Sequence, residues 1–404
     1  DQSRCGDDAE PAEASDTNDR ADWQPGLGLD LVVAHVSGSP SRNGRSHERR
    51  DGVRLSAFRS RVRETRERLG GAIGASAVQC VVATTSAPAK TKTRPKEDKR
   101  KLPKPLRPKG ADLPDCRVYV GDCRDLLPQI PECAKGEVDL VFADPPFNWA
   151  RGYDRWDDSM PDDEYCDVRQ SFGPAAKVTA FTQRWIDLCI DALTPTGSLW
   201  INIPDDWAAE IVVHLKQRGL HMANWCVWHY RFGQNTTSRF INSKVHALYF
   251  CKDPANRTWN AQDVLEPSDR ASTYFDPRTM DKKDGMPAGQ RVPMDVWYGE
   301  HWGRIQGNNK ERRGKHDNQL PELYLARVVR ATSNEGDLVL DPFTGSGTTA
   351  VAATALGRRY VGCEFSPEMA KSALQRVAAG PVRDLRAPAK ATAIFQPRRR
   401  KPQA

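Results

Sequence analysis

The chain has 404 residues, enough for one large domain or two modest ones, and its 38% hydrophobic content is low enough to place part of it outside any core. No run of about 18 apolar residues occurs, so no membrane span is expected. Ten cysteines are scattered from Cys5 to Cys363 without a Cys-x-x-Cys pair, which argues against a zinc site and a disulfide framework and fits a reducing cytoplasm. The net charge of +7 is concentrated in two stretches: 90–109 holds ten Lys/Arg against two acids, and 398–401 is wholly basic. Such stretches attract a polyanion.

Residues 1–20 are acidic and polar and do not read as a signal peptide. The first residue is Asp rather than Met, so the start is read as lying downstream of the true one or as a non-native extension. Residues 1–112 read as a poorly ordered extension: 38–51 is rich in Ser, Arg and Gly, and 86–110 alternates Lys, Pro and Thr as an extended basic linker. Within it only 53–69 has weak helical spacing of apolar residues, which a transient helix without a core would also give.

From Cys116 onward, short apolar runs alternate with helical spacing. Strands are expected at 117–120, 138–143, 198–203, 224–230, 246–251, 337–340 and 359–363. Helices are expected at 183–193, 207–218, 321–332, 347–356 and 367–377. The runs Val-Asp-Leu-Val-Phe-Ala and Asp-Leu-Val-Leu suit a sheet covered on both faces. The alternation predicts a doubly wound α/β domain over 113–380 with a mostly parallel sheet, followed by a basic tail at 381–404. Segment 231–315 breaks the alternation and reads as an insertion. Its basic residues, interleaved with Trp259, Trp297, Tyr298 and Trp302, suit either a nucleic-acid surface or a small core of its own.

Two constellations carry chemistry. In the first, an apolar strand ends at Asp341, then a turn with Phe343, Gly345 and Gly347 leads into a helix opened by Thr348. Glycines there let backbone approach a ligand closely. A second strand ends at Glu364, where a nucleotide-binding unit has its ribose-binding acid. The pattern is neither Gly-x-Gly-x-x-Gly nor a P-loop. An acid at the first strand's end suits a ligand with a cationic amino group, such as the methionine moiety of S-adenosylmethionine.

In the second, the buried run from Val138 delivers Asp144, followed by Pro145, Pro146, Phe147 and Asn148. Sites on open α/β sheets lie at such carboxyl ends. The prolines fix φ and remove amide donors, leaving rigid carbonyls as acceptors. The Asp144 carboxylate and the Pro145 carbonyl can bind both N–H groups of an exocyclic amine and favour its pyramidal transition state. Phe147 offers a face on which a base flipped from a duplex would stack.

These motifs resemble those of the amino-group DNA methyltransferases in the permuted β arrangement, with the catalytic motif ahead of the cofactor loop. The resemblance covers about 116–380 and extends to Gly121-Asp122-Cys, Pro195-Thr-Gly-Ser-Leu-Trp-Ile-Asn and Asn318-Gln-Leu-Pro-Glu. It implies a fold of the S-adenosylmethionine-dependent methyltransferase type, S-adenosylmethionine as cofactor and no metal. It also implies Asp122 near the cofactor adenine, Gln319 and Pro321 completing the cofactor pocket, and 231–315 as the target-recognition region. Phe147 stands where Tyr is commoner, and Gln319-Leu320-Pro321 where a Lys is often central. Asp at 144 resembles the adenine-N6 enzymes more than the cytosine-N4 enzymes. The expected partner is double-stranded DNA, the setting cytoplasmic and nucleoid-associated, the assembly a monomer or homodimer, with a cognate restriction endonuclease left open. Methylation of cytosine N4 or of an RNA base, a catalytically silent DNA-binding relative and a dinucleotide-dependent oxidoreductase stand as the alternatives.

Overall fold

The computed structural model describes residues 101–387, except 111, 153–156, 231–232, 234, 273, 275, 280–285, 300 and 314–317. The weak helix expected at 53–69, the rest of 1–100 and the basic cluster 398–401 lie outside the described residues.

Five strands run parallel: β1 (Cys116–Val120), β10 (Arg359–Glu364), β9 (Leu338–Asp341), β2 (Val138–Ala143) and β3 (Leu193–Ile203), side by side in that order. The sheet continues with β5 (Lys244–Cys251), antiparallel to β3, then β4 (His221–His229), antiparallel to β5, and the short β8 (Val296–Trp297). The near-continuous apolar sequence of β2 and β9 is explained by burial on both faces, with Leu140, Val141, Val339 and Leu340 fully enclosed. The strand expected from 198 begins five residues earlier, because Leu193 pairs with Val138 across an irregularity in register before Ser198 meets Leu140.

Nine α-helical pieces accompany the strands: α1 (Cys123–Leu126), α2 (Pro131–Lys135), α3 (Asp162–Tyr165), α4 (Phe181–Ala192), α5 (Asp205–Gln217), α6 (Asp269–Ser272), α7 (Glu322–Thr332), α8 (Thr348–Ala355) and α9 (Pro367–Ala379) among the described residues. Helix α8 is buried nearly all round, which explains its run of Ala, Val and Thr. Gly347, at its N-cap with φ 77°, lies so close to α9 that a Cβ would stand 2.7 Å from Ala373 Cβ.

Two expected boundaries meet paired structure. Leu106, inside the 1–112 extension, exchanges backbone hydrogen bonds with Val118 of β1 at 2.8 and 3.0 Å. Beyond 380, the Val382 and Arg383 amides donate to the buried Glu322 carboxylate, and Leu385 is buried.

The segment 231–315 is not one insertion. Its residues 244–251 form β5, an interior strand of the main sheet, while β6 (Glu266–Pro267) and β7 (Gln290–Arg291) pair apart from it. Of its tryptophans, Trp259 is 39% exposed, but the other two are not open for stacking. Trp297 and Trp302 are buried, and the Arg327 guanidinium lies 4.4 Å from the Trp302 ring and 5.5 Å from the Trp297 ring. Arg327 also pairs with Glu266 at 3.2 Å. Trp297 and Trp302 thus pack around a cation from outside the segment, a desolvated guanidinium held by ring faces and a carboxylate.

Candidate active site

Parallel strands place their carboxyl ends on one edge of the sheet. Along that edge four neighbouring strands each deliver an acid: Asp122 after β1, Glu364 ending β10, Asp341 ending β9 and Asp144 after β2. The Asp122 side chain accepts the Arg124 amide at 2.9 Å, capping α1, and pairs with the Arg124 guanidinium at 2.6 Å. Glu364 accepts the Gly345 amide at 2.8 Å and the Ser366 amide at 2.9 Å, one on each carboxylate oxygen. Asp341 accepts the Phe343 amide at 2.9 Å. Burial pushes its pKa up to about 7, against hydrogen bonds from Thr349 and Phe343 and with the Glu364 charge adding to the rise.

The glycine turn between Asp341 and Thr348 is thus closed by its own acids. Gly345 takes φ 49°, a backbone state that favours glycine. Phe343 meets Trp185 edge-on at 5.2 Å, so it anchors the turn to the core. Thr348 is buried, donates to the Leu320 carbonyl at 3.2 Å and accepts from Arg376 at 2.8 Å. Arg376 in turn pairs at 2.9 Å with Glu322, the first residue of α7 after Pro321, and both side chains are fully enclosed.

Asp144 stands on the other side of this group, at the floor of a cavity of about 490 Å³, within the usual range of small-molecule sites. Aromatic walls come from Phe147, Trp149, Trp228 and Tyr230, and polar ones from Asn202, Asn318, Gln319 and Arg304. Ala143 of β2 pairs with Ile201 of β3, so Asp144, just past the end of β2, stands beside Asn202, still within β3. The Asn202 amide donates to Asp144 Oδ1 at 2.6 Å, and the buried Tyr324 hydroxyl donates to Asn202 Oδ1 at 3.1 Å. Asp144 Oδ2 takes no hydrogen bond among the described residues. Burial pushes the Asp144 pKa up to about 7, against the Asn202 bond and with the Asp341 charge adding to the rise.

The two prolines differ in use. The Pro146 carbonyl accepts the Tyr165 hydroxyl at 2.6 Å, so it is not open to a ligand. No hydrogen bond among the described residues reaches the Pro145 carbonyl. Phe147 is buried, lines the cavity and meets Trp149 edge-on at 5.1 Å. Gln319 lines the same cavity, but its amide is committed to the 311–313 turn, donating to the Glu311 carbonyl at 2.6 Å and accepting the Arg313 amide at 3.0 Å.

Residues 138–375 match the family model for the DNA methylases that act on amino groups. The chain belongs to that family. It is 32% identical over 252 residues to the type II methyltransferase M.BamHI of Bacillus amyloliquefaciens, covering 62% of this chain and 54% of that one. It is 31% identical over 267 residues to the type II methyltransferase M1.MboII of Moraxella bovis, covering 64% of this chain and 94% of that one. The chain thus spans about half the length of the first relative and nearly all of the second. The solved M1.HpyAVI–SAM complex aligns at 19% identity with a TM-score of 0.43, over 64% of this chain and 97% of that one.

In this DNA methylase the sequence motifs located the acids but missed Asn202, Tyr324 and Trp149. Asn202 had a signal: it is the one amide in the buried run Ser-Leu-Trp-Ile-Asn-Ile-Pro. Tyr324 had none, since its partner lies 122 positions away. Ser171, His214 and Asp187 form a hydrogen-bonded series elsewhere, but all three are buried, so it holds α5 in place rather than serving a nucleophile. Among the described residues no helix is long and apolar enough to cross a membrane, and no group of His, Cys, Asp and Glu could hold a metal ion.

Proposed function

We propose that this DNA methylase moves a methyl group from S-adenosylmethionine to the N6 amine of an adenine flipped out of double-stranded DNA. One observation carries the reading: the Asp144 carboxylate, held on one oxygen by Asn202 and open on the other, at the floor of an aromatic-walled cavity.

The strand-end acids fit the cofactor. Four carboxylates on one edge, two of them with pKa values pushed up to about 7, are relieved by a ligand carrying cationic ammonium and sulfonium groups. In this reading Glu364 takes the ribose hydroxyls, Asp122 the adenine side and Asp341 the methionine side, with Gly345 allowing close approach. When bound, S-adenosylmethionine supplies a methyl group whose C–S bond breaks as the N–C bond forms, the electron pair going to sulfur.

The chain's own residues do the rest. Asp144 Oδ2 and the Pro145 carbonyl accept the two amino hydrogens and favour the pyramidal nitrogen. The amine loses one proton, which Asp144 accepts. Asn202, fixed by Tyr324, prevents the carboxylate from rotating, and alignment contributes much of the rate. Phe147 stacks on the extruded base, with Trp149 edge-on beside it. Asp at 144 favours adenine, and cytosine N4 is the second reading. Both named relatives are type II methyltransferases, which makes a cognate restriction endonuclease the proposed partner.

The test incubates the purified chain with labelled S-adenosylmethionine and unmethylated genomic DNA, then separates the nucleosides. Label in N6-methyladenine is the expected outcome. Label in N4-methylcytosine overturns the choice of base, and label in neither overturns methyl transfer to DNA.

A further inference from the structure

Phe240 is 96% exposed, more than any other large apolar side chain among the described residues. It sits near the tip of the hairpin joining β4 to β5. The hairpin stem continues past the strands, with the Tyr230 amide donating to the Ser243 carbonyl at 3.0 Å and the Tyr230 hydroxyl to the Asn242 carbonyl at 3.4 Å. Farther out, Gly233 abuts the returning strand so closely that a Cβ would stand 2.2 Å from Ile241 Cγ2 and 2.5 Å from the Asn242 carbonyl oxygen. The Thr236 and Ser238 hydroxyls, 3.1 Å apart, brace the end. One flank of this finger borders the cavity through Asn235, Thr236, Ser238, Arg239 and Asn242.

A single exposed apolar residue is ordinary on a protein surface. Phe240 differs in its setting. It adjoins the wall of the cavity that holds Asp144, next in sequence to the exposed Arg239, with Ile241 45% exposed beyond it. Arg304 adds positive charge to the same cavity, and Arg151 and Arg304 both donate to Asn318 on its wall, at 2.8 and 3.0 Å. An apolar side chain offered beside cations suits insertion at a base step while the cations take phosphates.

Resting on the methyl-transfer reading above, we propose that Phe240 enters the duplex where the target base has left and stacks on the bases that remain, with Arg239 on an adjacent phosphate. The finger thereby holds the duplex open while the base occupies the cavity. Extrusion costs stacking and pairing, and an inserted ring returns part of the stacking.

The test first reads the methylated site from wild-type product on unmethylated genomic DNA. It then compares the wild type, Phe240→Ala and Phe240→Trp on two synthetic duplexes, one with the target base paired and one with it mispaired. Phe240→Ala should lose about tenfold or more in rate on the paired duplex and recover to within about threefold of wild type on the mispaired one. Phe240→Trp should keep most of the activity on both. Wild-type behaviour of Phe240→Ala on the paired duplex, or an equal loss on both, overturns the wedge while leaving methyl transfer intact. A wild-type chain that labels no DNA overturns methyl transfer itself, and the wedge with it.

Discussion

At one end of the sheet, β1, β10, β9 and β2 run parallel and end in acids, three of which are already bound to backbone amides. At the other end, β3, β5 and β4 alternate in direction and border an open cavity with aromatic walls. The first region is organised by amides bound to its own acids, locally at Asp122 and Asp341 and across 19 positions from Gly345 to Glu364. The second depends on register between strands far apart in sequence. A turn closed by its own acids thus needs only two adjacent strands, whereas the cavity needs the wider sheet to place its walls.

The sharpest way to break this comparison is at Asp144, where the two regions meet. Asp144→Asn keeps the bond from Asn202 but offers the amine no carboxylate, so the transfer rate should fall by about 10³ or more. Binding of S-adenosylmethionine, followed by calorimetry, should change little. Near-normal turnover in the variant would remove Asp144 from the chemistry.

Glu364→Ala tests the other side. It removes the acceptor that closes the Gly345 turn, and cofactor affinity should drop by about tenfold or more with DNA affinity unchanged. A parallel loss of DNA binding would mean that the two regions are not separable.

Asn202→Ala should slow turnover by about tenfold, the scale of a hydrogen bond to a charged group. It also removes the bond that holds the Asp144 pKa down, so the acid limb of the rate profile, expected near pH 7 before cofactor binds, should move to higher pH. Tyr324→Phe should give the same shift on a smaller scale, about twofold to fivefold in rate. A slowed variant with an unmoved limb would make either residue structural only.

A stability measurement completes the series. The Asp144 pKa is raised in the folded state, so ionisation costs stability, and that cost grows as pH rises from about 4 to about 7. Asp144→Asn should therefore melt higher than wild type at pH 8, by about 1–3 kcal/mol of added stability, and match it below pH 4. An equal difference at both pH values would place its origin outside this titration.

Much of the fold was legible because burial on both faces leaves continuous apolar runs, as in β2 and β9, and because a strand that ends in an acid before a glycine turn is a local pattern. The first residues of β3, Leu-Thr-Pro-Thr-Gly, were missed because Leu193 is extended by pairing with Val138 rather than by its own propensity. The sequence left the aromatics of 231–315 open between a surface and a small core, because composition cannot distinguish a cation beside a ring in solvent from Arg327 packed on Trp297 and Trp302. Asn202 was visible as a residue, but its role depends on the register that sets it beside Asp144.

The position of β5 has a consequence for engineering. Exchanging 231–315 whole between related chains would remove a strand hydrogen-bonded to both β3 and β4. The piece that can be transplanted without touching the sheet is the finger before Lys244, since the stretch after Cys251 carries β8, which pairs with β4. A chimera confined to that piece keeps the sheet and exchanges the finger's share of the cavity lining, Asn235, Thr236, Ser238, Arg239 and Asn242; one that replaces β5 has to rebuild the sheet.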